Sequence, residues 1–242
     1  MIRSLAEAAV KRLPVSFDNM SLDFRAKKFI NGIASTSIER HYRWMGTFPP
    51  EEKEELLAPG IKRRLEDLNS FDVLHDYLRD KTFSSELGKL LYLDTKLYLQ
   101  DGVLAKVDRA SMANGLEVRV PFLDHRFVEL VTGLPEGLKL KGFTTKYIWK
   151  KAIKGRIPAE IERRGKKGFG IPIAKWLSGD LKELMVELLA EERLRRQGIF
   201  NPSAVKKLVS DHLAHRADNR KKLWNLLIFQ LWWENYYTAE RC

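Results

Sequence analysis

Two stretches of this chain combine residue types that can do chemistry. The first is "AKVDRASMANGLEVRVPFLDHR", residues 105–126. If its start is helical, Lys106, Arg109 and Ala113 share a face, with Asp108 beside it. Gly115 permits the left-handed turn that ends such a helix. An extended run beyond it would point Glu117 and Arg119 the same way. Two readings are open. Asp108, Arg109, Glu117 and Arg119 form a buried ion-pair network that fixes the turn, because buried charge is costly unless paired. Alternatively, the charges line a reaction site. The second stretch is "GRIPAEIERRGKKGFGIPIAKWL", residues 155–177. Pro158 starts a short helical turn, and glycines then free the backbone. Phe169, Ile171, Ile173 and Trp176 are expected to anchor the far end. A loop pinned at both ends can bring a lysine ammonium to a phosphate or a developing oxyanion, where excluded water strengthens the interaction.

The elements that must position these stretches read as helices. Ser4 and Glu7 form a capping box, and Pro14 ends that helix. "LDFRAKKFINGI" closes at Gly32. "PPEEKEELLAPG" has proline and acids in its first turn, with Gly60 expected after its end. Residues 84–115 are helical in pattern, with a break expected at Asp101-Gly102. Asp124 caps "HRFVELVTG", Thr145 is expected to cap "KYIWKKAIKG", and Asp180 with Glu183 forms a second capping box. Asn201-Pro202 opens a further helix, and "KKLWNLLIFQLWWENYY" is apolar almost all round, as a buried helix is. Only "LEVRV" (116–120) alternates like a strand. The chain therefore reads as mainly α with little or no sheet. A division is expected between an N-terminal helical arm, residues 1–83, and a C-terminal region, residues 84–242, that carries the lysine loop.

Composition sets bounds on this reading. The apolar fraction of 44% over 242 residues is enough to build a core. The single cysteine, Cys242, cannot form an internal disulfide, so a cytoplasmic setting is expected. No apolar run reaches the roughly 18 residues of a bilayer span, and no membrane partner is expected. The net charge of +11 is concentrated: residues 139–175 hold twelve Lys and Arg against Glu160 and Glu162. Such a segment implies an anionic partner: phosphate, nucleic acid, acidic lipid or acidic protein. No helix-turn-helix, RNA-recognition or zinc-finger pattern accompanies it, so nucleic acid is not expected. The five histidines show no metal-ligand spacing, and His212 and His215 read as surface residues.

In order and spacing, V-D-R-A-S-M, then L-E-V-R-V-P-F-L-D, then P-x-x-I-x-x-R-x-K-x-G-F-x-x-P-x-x-x-W resembles the C-terminal half of the synthetase domain of glutamine-dependent asparagine synthetases. The likeness is strong over about 84–237 and weaker over 1–83. It implies the helical portion of an α/β adenine-nucleotide alpha-hydrolase-like (PP-loop ATPase) domain. The activity implied is ATP-dependent adenylation of a carboxylate, normally that of aspartate, followed by amidation with ammonia from glutamine. By motif, Lys166 falls at the family's active-site lysine, with Arg164 supporting its loop. Lys106 falls at a variable position facing substrate or intermediate. Asp108, Arg109, Glu117, Arg119, Gly168 and Phe169 form a supporting shell. ATP with Mg is the implied cofactor set, and no protein metal site is expected.

The family's Ser-Gly-Gly-x-Asp-Ser pyrophosphate loop and its glutaminase cysteine do not occur in the sequence. The expected partners are therefore an N-terminal synthetase and glutaminase portion, together with aspartate, ATP and ammonia or glutamine. The resemblance also admits a homodimer. The isolated chain is expected to be inactive. The competing readings are a basic module for nucleic acid or an acidic partner, and a non-catalytic helical scaffold.

Overall fold

Helix starts follow capping chemistry wherever a side chain holds the right register. The computed structural model describes residues 10, 13–18, 21–32, 35–165 and 170–237. Asp124 accepts the Arg126 and Phe127 N–H groups ahead of the helix His125–Gly133. Asn201 accepts the Ser203 N–H ahead of Pro202–Leu213, and Ser85 the Gly88 N–H ahead of Glu86–Leu93. The Ser4 capping box lies outside the described residues.

Elsewhere, longer-range bonds override the local signal. Gly60 does not follow a helix end; it sits inside a second helix, Pro59–Arg64. The preceding helix, Pro50–Leu56, stops early because its exit pairs with a distant segment. Ala58 N–H donates to the Ile199 carbonyl at 2.9 Å, and Asn201 N–H to that of Leu56 at 2.7 Å, around a bridge between Leu57 and Phe200. Asp180 caps nothing. Leu181 N–H turns back to the Trp176 carbonyl at 2.8 Å, and the helix begins at Lys182. Thr145 is drawn into a hairpin with Leu140, so Lys146, in the left-handed region, stands at the start of Tyr147–Ile153. No break occurs at Asp101-Gly102: a π-helical segment, Asp94–Leu104, joins Glu86–Leu93 to Ala105–Met112. Residues 116–120 are extended but pair with no strand. Among the described residues the only sheet is the hairpin of Leu140–Lys141 with Thr144–Thr145. The fold is mainly helical, as expected.

By contact the chain forms two units, one of residues 1–75 with 169–242 and one of residues 76–168. The first has a closed core. Leu177, Met185, Leu194, Val205 and Leu223 are wholly inaccessible, and Leu226 and Leu227 nearly so. Helix Arg220–Trp232 buries one side only, at Leu223, Leu226, Leu227 and Gln230. Its other side exposes Ile228 and Trp232, so the all-round burial expected of this segment does not hold. Gln230 is buried within a reciprocal amide pair: Gln197 Nε2 donates to its Oε1 at 2.7 Å, and its own Nε2 donates to Gln197 Oε1 at 2.9 Å. Gly32 is buried where Arg40 and Trp44 cross it; an added Cβ would lie 2.6 Å from the Trp44 indole nitrogen, so only glycine fits without a shift.

His212 is fully buried rather than on the surface. Its Nε2 faces the Ala174 carbonyl at 3.3 Å, and its Nδ1 accepts the Asn219 N–H at 3.4 Å, which fixes a neutral tautomer. Phe17 stacks on it at 4.6 Å and on His215 at 4.3 Å. Burial holds the His212 imidazole below its usual pKa, partly offset by the Ala174 carbonyl. The unfolded chain takes up this proton more readily, so the neutral ring favours the fold above about pH 6.5, and that contribution is lost as pH falls below it. Urea unfolding at pH 7 and pH 5 is expected to show lower stability at pH 5, by at most about 1.4 kcal/mol per pH unit from this group. His212→Gln should flatten the dependence; an unchanged slope would remove His212 as its source.

The second unit is built differently. Among its described residues only Leu93 is buried, while Leu116, Val118, Val120, Phe122 and Leu130 are exposed.

Candidate active site

The end of helix Ala105–Met112 is closed as its sequence requires. Gly115 takes φ +64°, and Leu116 N–H reaches back to the Ser111 carbonyl at 3.0 Å. Asn114 Nδ2 adds a bond to the Ala110 carbonyl at 2.9 Å. The chain then runs extended to the 3₁₀ turn Pro121–Leu123, beyond which Asp124 caps the next helix. Between the helix and this return strand lies a groove of about 610 Å³. Asp108, Glu117, Arg119 and Asp124 give it charge; Val107, Met112 and Val118 are among its apolar lining. Three of the expected residues, Asp108, Glu117 and Arg119, are thus brought to one place.

The buried ion-pair network does not form in this chain. Arg119 Nε meets Glu117 Oε1 at 2.7 Å, but both side chains are largely exposed. Two residues apart on an extended run, they reach each other over the surface, where such a pair contributes at most about 1 kcal/mol. Among the described residues neither Asp108 nor Arg109 has an ion-pair partner. Asp108 is therefore a carboxylate free to accept from a ligand amine or hydroxyl, and Asp124 is committed to its cap.

Arg164 is exposed at the end of helix Ala159–Arg163, where its N–H donates to the Ile161 carbonyl at 3.3 Å. Lys166, Gly168 and Phe169 lie outside the described residues. C-terminal to them, Ala174 and Leu177 are fully buried, with Ile173 against the same core; Ile171 is exposed and Trp176 only half-buried. Lys106, Arg109 and Arg164 are exposed with no carboxylate partner among the described residues. Among the described residues no three His, Cys, Asp or Glu side chains gather in a way that could hold a metal ion.

One feature was not legible in the sequence. In the first unit, Asp23, Lys27, Arg43, Glu52 and Lys222 line a polar pocket of about 240 Å³. Its residues come from distant segments, and no local spacing marks them. Its charges largely satisfy one another, with Lys222 on Glu52 at 2.7 Å and Lys27 on Asp23 at 3.3 Å.

Among the described residues no helix is long and apolar enough to cross a membrane. The asparagine synthase family model matches residues 8–234. The chain is 34% identical over 180 residues to asparagine synthetase [glutamine-hydrolyzing] 1 of Bacillus subtilis, a match covering 74% of this chain and 28% of that protein. It is 30% identical over 209 residues to a putative asparagine synthetase [glutamine-hydrolyzing] of Mycobacterium bovis, covering 86% of this chain and 31% of that protein. The chain thus spans under a third of the length of these curated relatives. No solved structure matches it. With the ordered motifs, the helical architecture and a match over nearly its whole length, the chain belongs to the asparagine synthase family.

Proposed function

We propose that this chain supplies the C-terminal part of the synthetase domain of an ATP-dependent, AMP-forming amide ligase, with aspartate as the carboxylate activated. The observation that carries the reading is the match of residues 8–234, which encloses all three motifs in order. In this reading the carboxylate attacks the α-phosphorus of ATP and pyrophosphate leaves. Ammonia then attacks the acyl carbon, and AMP leaves with the bonding electrons. Lys166 steadies phosphate charge, with Arg164 and Lys106 beside the nucleotide or the intermediate. Asp108, Arg109, Glu117 and Arg119, with Gly168 and Phe169 in the loop, shape the site. The pyrophosphate loop, Mg and the glutaminase come from a polypeptide portion with the motifs this sequence lacks, and the α/β PP-loop fold is completed there.

The second unit supports such a partner. It buries almost nothing by itself and leaves Leu116, Val118, Phe122 and Leu130 open, more apolar surface than a self-contained unit leaves. ATP–pyrophosphate exchange is the direct test. The assembled enzyme is expected to exchange label when given aspartate, and the 242-residue chain by itself is not. Exchange by the isolated chain, or none by the assembled enzyme with aspartate, would refute the assignment.

A further inference from the structure

The basic segment is only partly used by the proposed site. Residues 139–156 hold seven Lys and Arg and no acid. Lys141, Lys146, Lys150, Lys151, Lys154 and Arg156 are all exposed. None has an ion-pair partner among the described residues, although most other described basic helices in the chain carry i,i+3 or i,i+4 pairs or longer-range bridges. The segment includes a hairpin whose two-residue turn is Gly142-Phe143, and Lys141 and Lys151 lie beside it over Tyr147. Gly142 has φ +56° and Phe143 does not lie in the left-handed region, the pattern of a type II′ turn. That turn lifts Phe143 to the apex, where its ring is wholly exposed.

The other two aromatic rings of the segment are occupied. Lys141 and Lys151 sit over Tyr147 at 5.1 and 5.2 Å, and the Lys151 hydrogen bond, reinforced by Lys141, holds the phenol below its usual pKa. Trp149 packs edge-on against Phe122 at 5.1 Å. Stacking of nucleic-acid bases needs open aromatic faces set beside the cations. Here the fully exposed ring is Phe143 at the turn, while Trp149, 40% exposed, is held edge-on by Phe122. An apolar tip with a basic collar fits an anionic bilayer surface, where the ring enters the interface and the ammoniums meet headgroup phosphates.

We propose that the hairpin 140–145, with Phe143 at its apex and Lys141, Lys146 and Lys151 around it, docks the protein peripherally on membranes rich in anionic phospholipid. A contact of this kind needs no spanning segment. The inference does not depend on the ligase assignment.

Co-sedimentation with vesicles tests it, using the full chain and then the assembled enzyme. Binding is expected to vesicles of 70% phosphatidylcholine and 30% phosphatidylserine, not to pure phosphatidylcholine, and to weaken steeply as salt rises. Phe143→Ser should weaken it by about tenfold, and Lys141→Glu with Lys146→Glu by at least about tenfold, with far-UV circular dichroism unchanged. Leu130→Ser, in the other exposed apolar region, should leave it intact. The proposal is overturned by any of four results: no binding to the anionic vesicles at low salt, equal loss with Leu130→Ser, tighter binding to a single-stranded oligonucleotide, or binding that disappears in the assembled enzyme.

Discussion

Lys166→Ala in the assembled enzyme is expected to lower the rate of amide formation on the order of 10²–10³-fold. A cation aimed at phosphate charge inside a closed site acts chiefly on the transition state, where charge migrates to the departing pyrophosphate. The loss should therefore appear in kcat, with little change in the KM for aspartate. Arg is the informative second variant. It keeps the charge but changes its shape and reach, so Lys166→Arg should recover only part of the rate. Lys167→Ala, one residue on, serves as the comparison, because it occupies a variable position of the R-x-K-x-G-F motif. Near wild-type rates for Lys166→Ala, or an equal loss at Lys167, would sink the assignment.

Leu177→Ala is expected to cost roughly 2–5 kcal/mol. The side chain has no accessible surface and sits where helix Ile173–Ser178 packs against Arg220–Trp232, so its loss leaves a cavity that the surrounding helices cannot refill. In urea the midpoint should fall by about 0.7–2.5 M, given a slope of about 2–3 kcal/mol/M. Five of the six tryptophans lie in the same unit as Leu177, so tryptophan fluorescence follows the relevant transition. Activity should respond as well, because Leu177 lies in the helix that ends the lysine loop. A midpoint shift under about 0.3 M, less than half of the smallest shift expected, would show that the packing there is slack.

Which features could be read from the sequence follows from the range of the forces that set them. Asp124, Asn201 and Gly115 act through bonds to residues one to five positions away, and each does what its local pattern predicts. Gly60, Thr145 and Asp180 carry equally good local signals and fail. In two of these cases a partner outside the pattern claimed the backbone first, from Ile199 for the exit of Pro50–Leu56 and from Leu140 for Thr145. His212 looked like a surface residue because its burial depends on Phe17, Ala174 and Asn219, none of them near its own helix face in sequence. At the candidate site, the sequence grouped Asp108, Arg109, Glu117 and Arg119, and all but Arg109 line one groove. It misjudged their exposure, because burial depends on which surface faces them and not on their own order.

The short bridge between Leu57 and Phe200 also has a consequence in time. It joins positions separated by more than half of the chain, and the whole second unit is threaded between them. During synthesis at about 5–20 residues per second, the N-terminal helices emerge well before their partners exist and must wait several seconds with apolar faces open. Any compaction of the residues between them shortens the loop the bridge must close. Each halving of that loop lowers the closure cost by about 0.6 kcal/mol. The period before residue 200 is translated is when the N-terminal helices most need protection from aggregation.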